Sequence, residues 1–437
     1  MTYEAFEDDS LGFTTRQLHA GYDPTEHDRS KAVPIYQTAA FELGDYDRCV
    51  RLFDYSEEGH SYVRFSNPTN TVLERRISSL EGGVAAVSFA SGMAAISGTF
   101  FNICQQGDEI VAVKTLYGGS TSLLESVLPD YGITCNWVEN EDDPASFEAA
   151  FTDRTRAVYV ECLGNPGMNI VDIEAISKIA HAHGVPLVVD NTFATPYLFR
   201  PFDFGADIVC YSATKYLAGH GTIIAGLVVE RGGFDWLNGN FPQYEQFYRD
   251  FEDSIGVEAL KREMFSKRLR MRSLTDFGGH MSPMNAFFLL QGMETLSLRM
   301  DRHVANAQAV AEFLDAHPKV ERVNYPGLPS NRYHELAKRY FPKGPGAILS
   351  LDVAGGQEAA LKLLANLRVF DYMVNVGDAK SLAVHPASST HFSQTKEERA
   401  AAGVYDNTVR LSIGIEDTAD LVEDLRQALE TLSLIHI

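Results

Sequence analysis

Asp207-Ile208-Val209-Cys210-Tyr211-Ser212-Ala213-Thr214-Lys215-Tyr216 reads as an apolar strand that delivers two hydroxyls, Ser212 and Thr214, and then the amine of Lys215. A second apolar run, Pro186-Leu187-Val188-Val189-Asp190, ends in a carboxylate. Short apolar strands of this kind imply a buried parallel sheet, with ligands expected beyond its carboxyl ends. An amine, a carboxylate and hydroxyl donors are what a cofactor with an aldehyde, a pyridine nitrogen and a phosphate requires. Pyridoxal 5'-phosphate (PLP) has those three parts.

Helices and strands alternate from about residue 70. Helices are expected over 71–80, 93–104, 121–128 and 173–181, and strands over 85–89, 109–114, 134–138, 157–161, 186–190 and 208–211. This order predicts an α/β fold with a mainly parallel central sheet flanked by helices. Residues 1–60 have few periodic apolar segments, and Val33-Pro34-Ile35-Tyr36-Gln37-Thr38 looks extended. A Met- and Arg-rich helix is expected near 257–276, then long helices over 289–316 and 357–367 and strands over 348–353 and 408–413. The expected organisation is an extended arm (1–60), a large cofactor-binding domain (61–265) and a smaller α+β domain (266–431).

Ala85-Ala86-Val87-Ser88-Phe89 runs through Ala90-Ser91-Gly92-Met93 into a helix, so Gly92 and Met93 stand where a helix N-terminus presents N–H groups to an anion. Such small-residue turns are common, and the reading gains force from Ser212 and Thr214. Asp190 suits the pyridine nitrogen, because an ionised carboxylate keeps that nitrogen protonated; a turn or cap aspartate is the plainer alternative. Tyr117, in Tyr117-Gly118-Gly119, could stack on the ring or be an ordinary loop tyrosine. In Thr408-Val409-Arg410-Leu411-Ser412-Ile413, alternation sets Arg410 opposite Val409, Leu411 and Ile413. Its fork suits a carboxylate, although pattern alone would make it a solvated strand arginine. The histidines (His181, His183, His220, His385, His391) show no zinc-ligand spacing, so no metal is expected. Ser91-Gly92-Met93 lacks the frame of a nucleophile elbow.

With 437 residues, 45% of them apolar and 22% charged, the composition is that of a globular enzyme of two domains. A formal charge of −22 argues against nucleic acid or anionic membrane as a partner. Five scattered cysteines without a C-x-x-C pair suggest reduced thiols in the cytoplasm. The acidic start, Met1 to Asp9, does not read as a signal peptide, and Gly and Ser interrupt the apolar stretch 84–103. The last six residues, 432–437, look like a translated library adapter and are set aside as non-native.

Together these segments resemble the Cys/Met-metabolism family of PLP enzymes, of aspartate-aminotransferase-like fold type I. The resemblance runs from about Gln17 to Leu429. It is carried by Pro34-Ile35-Tyr36-Gln37-Thr38, Ser61-Tyr62-Val63-Arg64-Phe65-Ser66-Asn67-Pro68-Thr69, Val189-Asp190-Asn191-Thr192-Phe193-Ala194-Thr195-Pro196-Tyr197, Ser212-Ala213-Thr214-Lys215, Asn324-Tyr325-Pro326-Gly327-Leu328, Asn375-Val376-Gly377-Asp378-Ala379-Lys380-Ser381-Leu382 and His385-Pro386-Ala387-Ser388. Gly219-His220-Gly221-Thr222 is similar to the O-acetylhomoserine sulfhydrylase branch.

The resemblance implies a transferase of methionine biosynthesis that makes L-homocysteine and acetate from O-acetyl-L-homoserine and sulfide. Catalysis would fall to Lys215, with Tyr117 over the ring and assisting a proton transfer. Gly92, Met93, Ser212 and Thr214 would hold the phosphate, and Asp190 the pyridine nitrogen. Tyr62 and Arg64 would reach the phosphate of a neighbouring subunit in a homotetramer built of dimers. Arg410 would bind the substrate carboxylate, with Asn165, Asn375 and Thr390 around it. A methionine or cystathionine γ-lyase, another thiol or a carbon nucleophile, and another acyl leaving group stay open; a non-catalytic binding protein is disfavoured by the presence of both Lys215 and Asp190. Ser120-Thr121-Ser122 and the segment 243–276 depart from the sulfhydrylase pattern, the latter in a region expected near the substrate.

Overall fold

Seven short strands make the first sheet: β1 (Ala85–Phe89), β2 (Glu109–Ala112), β3 (Thr134–Trp137), β4 (Thr155–Glu161), β5 (Leu187–Asp190), β6 (Ile208–Ser212) and β7 (Gly226–Glu230). The structure, a computed structural model, describes residues 10–392, 395–401 and 403–432. Spatial order is β1-β7-β6-β5-β4-β2-β3. β6, β5, β4, β2 and β3 run parallel, and β7 is antiparallel to both its neighbours. Val158, Val160, Val188 and Val189 are fully buried, as residues of a sheet covered on both faces must be. Each such side chain contributes roughly 1.5–3 kcal/mol of burial. The expected α/β architecture therefore forms.

The second sheet holds β8 (Val320–Asn324), β9 (Ile348–Val353), β10 (Asp371–Tyr372), β11 (Leu382–Val384) and β12 (Thr408–Ser412), in the order β10-β11-β12-β9-β8. Only the β10–β11 pair is parallel. Helices Leu296–Asp315 and Gly356–Asn366 pack on it, with Thr418–Glu430 against both helices.

Several elements differ from their expected form. The helix expected over 289–316 is two, Pro283–Met293 and Leu296–Asp315, broken at Thr295 (φ −115°, ψ 13°). Gln17, on the N-terminal helix Phe13–His19, bridges the break: its Nε2 donates to the Glu294 carbonyl (2.8 Å), and its Oε1 accepts from the Ser297 N–H (3.0 Å). The helix expected over 257–276 divides at Glu263 (φ −124°, ψ 30°) and continues as a wide turn over Leu269–Leu274. In that turn Arg270 bonds the Glu74 carboxylate and the Ala86 carbonyl. The helix expected over 121–128 instead starts at Gly118, widens over Leu123–Val127 and tightens over Leu128–Tyr131 at Pro129. Residues 13–19 and 46–53, expected as an extended arm, are helical.

The segment 243–276 begins within a further helix. That helix, Pro242–Ile255, buries Tyr244 beside Trp236 and Phe241, and Phe247 beside Phe251. The Tyr244 hydroxyl accepts from Asn102 (2.8 Å), near the C-terminus of helix Gly92–Ile103. That end lies roughly 16 Å along the helix from Gly92, at 1.5 Å per residue. No helix among the described residues is long and apolar enough to cross a membrane. The acidic start 1–9 and residues 433–437 of the tail lie outside the described residues.

Candidate active site

The parallel strands bring their carboxyl ends together, and with them Glu161, Asp190 and Ser212 from β4, β5 and β6. Glu161 pairs in register with Asp190, and Asp190 with Cys210. Asp190 accepts the Thr192 N–H (2.9 Å), while the Thr192 hydroxyl accepts the Ser212 N–H (2.8 Å). Burial raises the Asp190 pKa to about 6, against the pull of Thr192. Burial and the neighbouring Asp190 hold Glu161 well above the ordinary carboxylate range.

Glu161 escaped sequence reasoning. It follows the same rule as Asp190, a carboxylate closing an apolar strand, but only the sheet register reveals their adjacency. Its Oε1 accepts the backbone N–H of Tyr117 (2.6 Å), whose side chain is half exposed. Among the described residues no Lys, Arg or His pairs with Glu161 or Asp190. A buried acidic pair without a cation suits a protonated pyridine nitrogen.

Helix Gly92–Ile103 starts against Ser212 of β6, with Ser91 accepting the Ala94 N–H (3.1 Å) as its cap. The N–H groups of Gly92 and Met93 fall in the first turn, where no intrahelical acceptor exists. Gly92 packs so closely on β6 that an added Cβ would stand 2.8 Å from Ser212 Cβ and 2.9 Å from Ser212 Cα. These features fit a phosphate cradle. Thr214 is also near by sequence, but its hydroxyl exchanges hydrogen bonds with Ala225, donating to the carbonyl (3.3 Å) and accepting the N–H (3.0 Å).

Lys215 Nζ donates to Asn375 Oδ1 (2.6 Å). Arg410 Nη2 donates to the Asn375 carbonyl (3.3 Å), and its Nη1 to Asn165 Oδ1 (3.1 Å). Lys215, Asn375, Arg410 and Asn165 thus form one chain of contacts that joins the loops after β6 and β4 to the second sheet. Arg410 is only 4% exposed, so the solvated reading of this strand arginine fails. Burial lowers its pKa to about 10. Burial, then the charge of Arg410, lowers that of Lys215 to about 8. The Thr390 carbonyl lies 3.7 Å from where a Cβ on Gly118 would stand, so Thr390 borders the Tyr117 loop. Its hydroxyl bonds His391 Nδ1 (2.8 Å), a ring that burial and Arg410 keep neutral to about pH 4.

The structure sets Tyr62 and Arg64 apart from this chain of contacts. Tyr62 is exposed, and the Arg64 guanidinium donates to the Thr275 carbonyl and lies 5.1 Å from the centre of the Phe65 ring.

Known proteins share this arrangement of chain. An O-acetyl-L-homoserine sulfhydrylase of Leptospira meyeri is 46% identical, over 96% of this chain and 96% of its own. A homocysteine synthase of Schizosaccharomyces pombe is 45% identical over 97% of this chain and 99% of its own, and an L-methionine gamma-lyase of Pseudomonas putida 43% identical over 96% and 97%. A solved structure from Campylobacter jejuni, provisionally assigned as an O-acetylhomoserine (thiol)-lyase and carrying N'-pyridoxyl-lysine-5'-monophosphate, superposes with a TM-score of 0.90 at 38% identity, over 96% of this chain and all of that one. The family described as Cys/Met metabolism PLP-dependent enzyme matches residues 14–430, and this chain belongs to it.

Proposed function

We propose that the protein catalyses γ-replacement, converting O-acetyl-L-homoserine and hydrosulfide into L-homocysteine and acetate. The observation that carries this reading is the hydrogen-bonded run from Lys215 through Asn375 to Arg410, which sets an amine and a carboxylate-binding fork around one shared residue. Similarity to the Leptospira and Schizosaccharomyces enzymes supports the choice of substrates.

PLP, when bound, draws electrons away from the substrate Cα and so makes the protons on that side of the molecule removable. Gly92, Met93, Ser212 and Thr214 would hold its phosphate, Asp190 its ring nitrogen and Tyr117 its face. Arg410 clamps the substrate carboxylate, with Asn165, Asn375 and Thr390 fixing the guanidinium and the pocket around it. The Lys215 amine, able to be neutral near pH 8, removes the proton at Cα. Loss of a Cβ proton then expels acetate from Cγ, hydrosulfide bonds to Cγ in its place, and a proton is restored to Cβ. Lys215 returns the proton to Cα, and Tyr117 assists one transfer.

The same proposal includes a homotetramer in which Tyr62 and Arg64 complete a neighbouring copy's phosphate site, supported by the exposure of Tyr46, Phe53 and Tyr62 along residues 46–62. It also places the enzyme in the cytoplasm, in keeping with five unpaired cysteines.

The test is to incubate PLP-loaded protein with O-acetyl-L-homoserine, with and without sulfide, and to quantify homocysteine and 2-oxobutyrate. Sulfide-dependent homocysteine with little oxo acid is expected. Abundant 2-oxobutyrate without homocysteine would instead favour the γ-lyase reading, which the Pseudomonas relative keeps in view.

A further inference from the structure

We propose that Glu161 is the neutral, proton-holding partner of Asp190, a positioning residue that anchors Tyr117 and leaves Asp190 as the sole negative charge at the ring nitrogen. Glu161 and Asp190 close adjacent parallel strands in register, so their side chains leave the sheet on the same face. Both are 8% exposed. Around them stand Tyr159 on β4, Cys162 just after it and Cys210 on β6, each kept in its uncharged form by burial. With no cation paired to either acid among the described residues, two adjacent charges here would repel at low dielectric, and one group keeps a proton.

The hydrogen bonds say which one. Asp190 accepts from the Thr192 N–H, and the Thr192 side chain also favours its ionised form. Glu161 receives one N–H, that of Tyr117. A protonated pyridine nitrogen brings one positive charge, enough to ionise one of the two acids. Asp190 takes that charge, and Glu161 stays a neutral acid whose carbonyl oxygen pins the start of the Tyr117 loop. The inference rests on PLP binding and not on the acceptor chemistry, so a failure of the sulfide assay leaves it standing.

Glu161→Gln keeps the neutral shape and the acceptor oxygen; Glu161→Leu removes both. PLP affinity, and the visible absorbance of the PLP-loaded protein titrated from pH 6 to 10, read the difference without any turnover. E161Q should bind PLP within about threefold of the parent and leave the spectral midpoint in place, whereas E161L should weaken PLP by about tenfold or more. A midpoint in E161Q displaced by about one unit or more would show that Glu161 is charged, and would overturn the assignment. Parent-like affinity in E161L would equally overturn it. Should E161L not fold, the E161Q midpoint decides alone.

Discussion

Lys215 sits at a point where small electrostatic changes have large chemical effects. Its amine must be neutral to react with the aldehyde of PLP, and burial together with Arg410 brings its pKa down to about 8. The rate at which PLP loads onto the cofactor-free protein should therefore rise with pH through a midpoint near 8, well below the ~10.4 of an ordinary lysine. In Arg410→Met, loss of the neighbouring positive charge should move that midpoint upward, and absorbance-monitored loading across pH 6.5–10 measures both. Arg410→Lys keeps a charge but loses the fork that reaches Asn165 and the Asn375 carbonyl; kcat/KM should fall roughly 100-fold. Lys215→Ala should abolish turnover. Lys215 and Asp190 were legible because their meaning is local, an amine or a carboxylate closing an apolar strand. The depth of Arg410 and the adjacency of Glu161 were not, because each depends on which strands, remote in sequence, become neighbours.

At the scale of elements, the tight seat of helix Gly92–Ile103 on β6 is the feature that substitution tests most directly. An added methyl at Gly92 meets Ser212 Cα and Cβ, atoms fixed by the strand, so it is the helix start that must move. Gly92→Ala should weaken PLP about tenfold and cost about 1–3 kcal/mol of stability, read by PLP titration and thermal melting. Strands β1 to β6 were visible as apolar runs between turn residues. β7 was missed because it follows the glycine-rich stretch Gly219–Ala225, which reads as loop. The break at Thr295 was invisible for another reason: apolar spacing continues through it, and the side chain that spans it comes from Gln17.

For the molecule as a whole, stability should carry the mark of Glu81, which is completely buried and accepts a hydrogen bond from the Tyr211 hydroxyl. Burial raises its pKa to about 8, with Arg200 opposing and Asp203 adding. The folded chain thus holds a proton that the unfolded chain releases near the ordinary glutamate value. That stabilisation is complete below about pH 4.3 and is lost as pH rises to about 8. Glu81→Gln should flatten this decline, a difference of roughly 1–4 kcal/mol in unfolding experiments from pH 5 to 9. Gln17 ties the beginning of the chain to a carbonyl 277 residues later. At roughly 5–20 residues per second, a ribosome needs about 15–55 s to supply that acceptor. Helix Phe13–His19 can rest on helix Pro68–Glu81 within seconds, but the bond that Gln17 makes across the break at Thr295 closes only after that interval.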